Sequence, residues 1–309
     1  MKTSNTTAPR VLRSYGIDPL GTAAVLVSAL GFGTLATLTK LSYAAGVAVP
    51  TLIAWRFGLA TLLVLAALPF ERRRRGNLLG REPWSTWRLA TAAVAVACFV
   101  GNTTLYFLAL QSVSITLAAV LFYAYPVLVM LFRLLGWREG PSFQQSIALA
   151  FGLSGVALTL GWQWHQVDLP SAALMLSSAT LYAAYIVLAH RGLRDASPVF
   201  ATAILFPAAT IAAVTAALVT QAPLLVEASA LAPILAIVLC ATVLPVQLFL
   251  FGSVRLGPTP AALLGTFEPV ASVGIALLAL GEPLTVEQLA GGLLVVIAAM
   301  LVRGERRQT

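Results

Sequence analysis

The chain has 309 residues, 59% of them hydrophobic and 10% charged, with a mean hydropathy of +0.91 and a formal net charge of +8. Soluble domains are nearer half apolar and a quarter charged, so a water-soluble fold of this size could not hide so much apolar surface. Composition therefore excludes an ordinary soluble enzyme and points to lipid as the solvent.

One residue of α-helix rises ~1.5 Å, so a ~30 Å hydrocarbon core takes ~20 residues. Residues 1–18 are polar and read as a cytoplasmic tail with no cleavable signal, because the first apolar run is long enough to span and stay. The predicted spans then follow in order: 20–39, 51–70 with Arg56 inside it, 89–110, 113–132 and the shorter 146–162. After them come 170–189, 199–219, 231–252, 259–280 with Glu268 inside it, and 285–302. Residues 304–309 form a second short cytoplasmic tail. The runs are continuously apolar rather than alternating, which argues for helices and against a membrane barrel. The expected class is an all-α membrane protein of ten transmembrane helices.

The charge is topological. With the N-terminus inside, every one of the 19 Lys and Arg residues except Lys40 and Arg56 falls on the cytoplasmic side, and the opposite loops hold none. That asymmetry is the positive-inside rule. It places both termini in the cytoplasm of a plasma (inner) membrane protein and removes nucleic acid as a partner. Trp84, Trp87 and Trp137 fall near the inner interface and Trp55, Trp162 and Trp164 near the outer one, where indole rings favour both boundaries. The two cysteines, Cys98 and Cys240, make neither a disulfide framework nor a metal spacing and read as buried small apolar residues. Neither a metal nor a cofactor is expected.

The sequence repeats itself. A shift of 143 lays Thr116 on Thr259, Ala118-Ala119 on Ala261-Ala262, Tyr125 on Glu268, Pro126 on Pro269, Glu139 on Glu282 and Gln145 on Gln288. Earlier in each half the shift is about 150, with Ser28-Ala29 on Ser178-Ala179 and Lys40 on His190. Two five-helix repeats result, at 19–163 and 167–303. Five is odd, so the second repeat enters the membrane from the other side. Such an inverted pair is the construction of many secondary transporters, with the binding site near the midplane.

The residues here resemble the drug/metabolite transporter superfamily, in its ten-helix EamA-type branch. The resemblance rests on "LVSALGFGTLATLTK", "LIAWRFGLA", "ALQSVSITLAAVLFYAYPVLVMLF" and, most specifically, "LGPTPAALLGTFEPVASVGIALLALGEPLTVEQLAGGLLVVIAAMLV". It departs from the family pattern at "GWREGPS", where the family usually has Gly-Glu-x-Leu-Thr, which weakens any role for Glu139. The resemblance implies export of small metabolites, often amino acids, through a central cavity between the repeats.

Glu268 is the residue that most needs explaining. A carboxylate near the centre of a spanning helix costs ~2.5–3.5 kcal/mol on insertion scales, and Glu268 stands ~13 Å from the inner boundary. It either binds a substrate amine or carries a coupling proton, or it is a hydrogen-bonded structural group beside the carbonyl that Pro269 leaves unpaired. Pro126 and Pro269 should bend their helices at one depth and so widen the bundle. Tyr125, the repeat mate of Glu268, should face the same cavity if Glu268 does, and Tyr123, about 200° round the helix, cannot point squarely inward along with it. Tyr182 and Tyr185 share a helix face, as do Asn102 and Tyr106, and both faces offer polar groups to a small ligand or to interhelical packing. Arg56 and Lys40 either meet a substrate carboxylate or serve as snorkelling and interfacial anchors. Gly31 and Gly33 let helices approach closely and also make the first span pliant.

Rival classes fare worse. "GLSG" at 152–155 matches an intramembrane serine protease motif, but neither His165 in an outer loop nor His190 at an inner helix end is placed to activate Ser154. No phosphate-binding Gly-x-x-x-x-Gly-Lys loop is present and no ATPase subunit is implied. Movement of a lipid-linked or other hydrophobic compound stays open as an alternative. The expected partners are a small-molecule substrate and membrane lipid, and a monomer is compatible with the sequence.

Overall fold

The computed structural model describes residues 18–79, 84–137, 143–161, 168–193, 196–256, 264–265, 267–281 and 285–301. The two tails and the segments carrying Glu139, Trp162, Trp164, His165 and Glu282 lie outside the described residues. Among the described residues the structure is helical, without strands.

Helix starts follow local chemistry. Helix α1 (Pro19–Gly33) opens with Asp18 accepting from the backbone N–H of Leu20 and with proline at its first position, where a missing N–H costs nothing. Thr34 ends it. The Thr34 hydroxyl donates to Gly31 O at 2.7 Å and its amide is shared between Leu30 O and Gly31 O, so local bonds compete with the helical ladder. Helix α2 (Leu35–Ala44) resumes at once. Helix α3 (Val49–Arg75) closes on Gly76, whose φ of 74° suits a residue without a side chain. Ser85, Ser114, Asp168 and Ser197 cap α4 (Thr86–Ala109), α5 (Ile115–Phe122), α8 (Leu169–Gly192) and α9 (Pro198–Val219) in the same way. Between them run α6 (Tyr125–Trp137) and α7 (Phe143–Gly161). Helix α10 (Ala228–Val238) passes through a π-helical turn, Leu239–Val243, into α11 (Leu244–Leu256). Helices α12 (Phe267–Leu280) and α13 (Val286–Leu301) complete the chain.

Six of these stretches are long and apolar enough to cross a membrane: Pro19–Ala44, Val49–Arg74, Thr86–Ala109, Leu169–Ala189, Val199–Val219 and Ala228–Phe249. Shorter apolar helices cover Ile115–Val129, Phe267–Leu280 and Leu289–Ala298.

The packing is that of a protein in lipid. Ala60, Ala95, Ala118, Ala179 and Ala183 are wholly buried, whereas Leu278 is 88% and Val219 78% exposed. Large side chains such as Phe107 and Leu52 are buried as well, but water would not leave so many others outside. In lipid, large side chains gain nothing by leaving the acyl chains, and small ones let backbones meet. A methyl group on Gly31 would come within 2.5 Å of the Cys240 carbonyl and 2.6 Å of the Pro245 ring, and one on Gly33 within 2.9 Å of Ala271. Both glycines therefore serve close approach.

Helix α8 packs along α4, α13 along α7, α9 along α3 and α11 along α1. Helix α10 lies on α2, α12 on α1, α2 and α5, and α5 and α6 on α8. At one end Arg88, assigned to a loop by the sequence, is instead buried in the first turn of α4. Its Nε donates to Gly192 O, closing the C-terminus of α8, and its guanidinium lies over the Trp84 ring at 4.8 Å. Cys240 corrects another expectation. It is exposed, because it continues the outward face of α10 that carries Leu231, Leu235 and Leu239 at helical spacing.

Candidate functional site

Glu268 and Tyr125 occupy the first turns of two helices that begin in the interior. Helix α12 starts at Phe267 and α6 at Tyr125, after a turn at Tyr123–Ala124. The expected bends at Pro126 and Pro269 are thus helix starts. A proline in a first turn removes an N–H that has no helical partner anyway. The consequence for Glu268 is electrostatic, since a carboxylate at a helix N-terminus lies at the positive end of the helix dipole. That placement offsets part of the cost of burying it.

Tyrosines surround the carboxyl. The Tyr123 hydroxyl hydrogen-bonds Glu268. Tyr106, Tyr125 and Tyr182 stand within electrostatic reach of it. Glu268 nonetheless keeps part of its surface accessible, so it borders a space instead of being packed solid. The rings hold one another. Tyr125 meets Tyr182 edge-on at 4.9 Å, Tyr182 stacks on Tyr185 at 5.9 Å, and Phe122 touches Tyr106, Tyr125 and Tyr182. Edge-to-face and offset contacts of this kind add to simple burial.

Tyr123 is the residue that sequence reasoning missed. The 200° argument assumed one unbroken helix, and the break at Tyr123–Ala124 frees both Tyr123 and Tyr125 to approach Glu268. "YAYP" carried the signal, because a proline marks the opening turn of a new helix. Tyr43 was missed as well. Its hydroxyl donates to Phe107 O at 2.6 Å, beside Tyr106.

Arg56 is 9% exposed and so does not snorkel to an interface. Its Nε donates to Thr242 Oγ1 at 2.9 Å, and its guanidinium lies 4.9 Å from the Phe57 ring and 5.4 Å from the Phe107 ring. Ring faces attract a cation most where water is excluded. The Thr242 hydroxyl in turn donates to Ile237 O at 2.9 Å, five residues back, so the π-turn fixes the arginine's partner. Tyr106 lies within electrostatic reach of both Arg56 and Glu268, and among the described residues these two form no ion pair with each other.

The other sequence candidates fall outside this cluster. Asn102 is buried and its amide oxygen accepts from Ser178 Oγ at 2.8 Å, which ties α4 to α8. Tyr185 joins the cluster only through its stack on Tyr182 and also meets Phe99 at 5.4 Å. Lys40 is half-buried on α2 with an interaction of its own. Ser154 sits on an exposed face of α7, the wrong setting for a nucleophile shielded from lipid. A cavity of about 650 Å³ lies elsewhere, at the end of α3, and contains none of these groups.

The comparisons with known proteins agree with this architecture. The model of the EamA-like transporter family matches twice, at residues 19–161 and 169–304. The uncharacterized transporter YcbK of Bacillus subtilis (strain 168) is 26% identical over 294 residues, covering 92% of this chain and 93% of that one. A solved structure described as "Crystal structure of protein" superposes with a TM-score of 0.62 at 20% identity, over 91% of this chain and 95% of the other. At that identity the likeness speaks for the fold alone. Long apolar helices, a small-residue core and a family match over nearly the whole length converge: this chain is a multi-pass membrane transporter and belongs to the EamA-like transporter family.

Proposed function

We propose that this transporter is a ten-span secondary carrier that exports a small zwitterionic metabolite, an amino acid or a close relative, across the plasma (inner) membrane by alternating access. The observation that carries the reading is Tyr106, which lies within electrostatic reach of both Glu268 and Arg56. A carboxyl and a guanidinium held in one tyrosine-walled region, without closing an ion pair, offer opposite charges to the ammonium and carboxylate of a single ligand. Each is kept inside the membrane by partners of its own. Glu268 has a hydroxyl and a helix N-terminus, and Arg56 has Thr242 and two ring faces. A group this costly in a membrane is by default a functional one. In this reading Glu268 meets the amine or a coupling proton, Arg56 the carboxylate, and Tyr106, Tyr123, Tyr125 and Tyr182 form the walls.

Two inverted repeats are supported by the packing. Exchanging the halves turns the α4–α8 contact into the contact of α10 and α11 with α1 and α2, and turns α5 and α6 on α8 into α12 on α1 and α2. The contacts α3–α9, α7–α13 and α5–α12 map onto themselves. A single hydrogen bond obeys the same exchange. Ser28 Oγ donates to Pro245 O at 2.7 Å and Ser178 Oγ to Asn102 O at 3.0 Å, the residues that the sequence shifts of 150 and 143 make equivalent. The one-sided distribution of arginines supports cytoplasmic termini.

Uptake of labelled amino acids and related zwitterions into proteoliposomes, with and without a pH gradient, tests the reading. Glu268→Gln should lower transport at least ~100-fold while the protein still folds, as expected when a charge partner is lost from a desolvated site. Full transport by that variant, or no zwitterion moved by the unaltered protein, overturns it.

A further inference from the structure

The cavity at the end of α3 has an apolar floor and a cationic rim. Leu65, Leu68, Pro69 and Leu78 line it together with Arg72 and Arg73, and its volume is about 650 Å³. It is built by the fold. Gly76 turns the chain back with φ 74°, its amide donating to Arg72 O at 2.8 Å, and Leu78 O accepts from Ser197 N at 2.9 Å, which pins the returning segment against the start of α9. Pro69 inside α3 leaves the Leu65 carbonyl without its helical donor and loosens the wall at that level.

Three observations indicate an occupant. The cavity opens sideways at the level of the apolar span, since Leu65, which lines it, is 45% exposed. The Arg72 and Arg73 side chains are exposed and engage no carboxylate among the described residues. Leu65 and Arg72 are separated by about two turns of helix, or ~10 Å, the distance over which a phospholipid passes from acyl chain to phosphate. Clustered arginines where a spanning helix leaves the bilayer attract anionic lipid at ~1 kcal/mol each.

We propose that this cavity binds one anionic phospholipid of the surrounding leaflet, with its phosphate between Arg72 and Arg73 and an acyl chain against Leu65, Leu68 and Leu78. The site is separate from the Glu268 cluster, and the proposal stands whether or not a zwitterion is the cargo.

Native mass spectrometry of the whole protein, released from nanodiscs of phosphatidylglycerol and phosphatidylcholine in equal parts, gives the test. One phosphatidylglycerol should be retained in preference to phosphatidylcholine. Arg72→Gln or Arg73→Gln should cut that retention ~5-fold, while Arg74→Gln, which removes the same charge beside the cavity, leaves it unchanged. Leu68→Trp fills the floor without altering charge and should also abolish retention, which keeps the test open if an arginine variant misfolds. Equal loss in Arg73→Gln and Arg74→Gln means diffuse attraction and overturns the site. Displacement of the lipid by millimolar inorganic phosphate means an anion site without an acyl floor and overturns the lipid assignment.

Discussion

The straight pair α4–α8 and the broken pair made by α1–α2 with α10–α11 carry the same packing, down to the serine bonds from Ser178 and Ser28. They differ in what happens at mid-length. Helices α4 and α8 run unbroken, whereas α1 stops at Gly33 and its partner passes through the π-turn Leu239–Val243. The difference falls where a buried cation is held. Thr242 on the π-turn holds Arg56, and nothing corresponds to it in the straight pair. On the proposed two-repeat reading, one packing frame serves both pairs, and the broken one holds a buried arginine. Irregular backbone inside a membrane is tolerated where protein or a cavity surrounds it, and π-turns are found often at functional positions.

The first way to break this comparison is to remove the bond that the π-turn supplies. Thr242→Val keeps the shape and leaves Arg56 Nε without its acceptor. A hydrogen bond to a charged group is worth ~1.5–3 kcal/mol, so the apparent KM for a carboxylate-bearing substrate should rise 10-fold or more, with a smaller effect on a decarboxylated amine. An equal effect on both substrates would make Thr242 a general packing residue and dissolve the contrast with α4–α8.

Gly31 and Gly101 sharpen it at the next level. A methyl on Gly31 meets the Cys240 carbonyl at 2.5 Å, which is backbone, whereas one on Gly101 meets the Leu181 Cδ1 at 2.8 Å, the movable tip of a side chain. Gly31→Ala should cost ~1–3 kcal/mol as overpacking, seen as a lower Tm in detergent. Gly101→Ala should be near neutral, because the alanine gains up to ~1 kcal/mol of helix propensity against a neighbour that can yield. Equal losses would mean that the two pairs are equally rigid.

The sequence made the apolar runs legible because lipid demands a fixed length of them, and the proposed repeat was read from matched positions, of which Ser28 and Ser178 make parallel hydrogen bonds. Glu268 was legible because a carboxylate in such a run has few innocent explanations. What it did not disclose was where helices stop. Thr34, Ala124 and the π-turn interrupt runs whose hydropathy does not change, and those interruptions decide which side chains meet. Tyr123 and Tyr125 were held unable to point inward together by the geometry of a helix that is not continuous. Thr242 could not be linked to Arg56 at all, since 186 residues separate them and a lone threonine in a membrane helix carries no signal. Asn102 shows the opposite failure. Its polarity drew notice, yet its amide oxygen is spent on Ser178.

If the repeats are equivalent at the serine positions, Ser28→Ala and Ser178→Ala should lower stability by similar amounts, ~0.6 kcal/mol each. A difference above ~1 kcal/mol would show that the matched bonds do unequal work. The smallest effect belongs to the helix starts. Asp18 and Asp168 both cap their helices, but among the described residues only Asp18 also meets an arginine, Arg255 at the end of α11, which lies over the Phe251 ring. The hydrogen bond from Arg255 holds the Asp18 carboxyl below the usual carboxylate range. Its contribution is therefore present above the ordinary aspartate value, ~pH 4, and disappears as pH falls through the lower folded value. Asparagine caps a helix as well as aspartate does, so Asp18→Asn removes the ion pair and spares the cap. The Tm of the variant should sit slightly below that of the unaltered protein at pH 7 and low salt. The two should converge in molar salt, which screens exposed charges, and again once the pH has fallen below the lowered folded value, where the carboxyl takes up its proton. A gap that persists under both conditions would locate the effect in the cap, and α1 and α8 would then begin in equivalent ways.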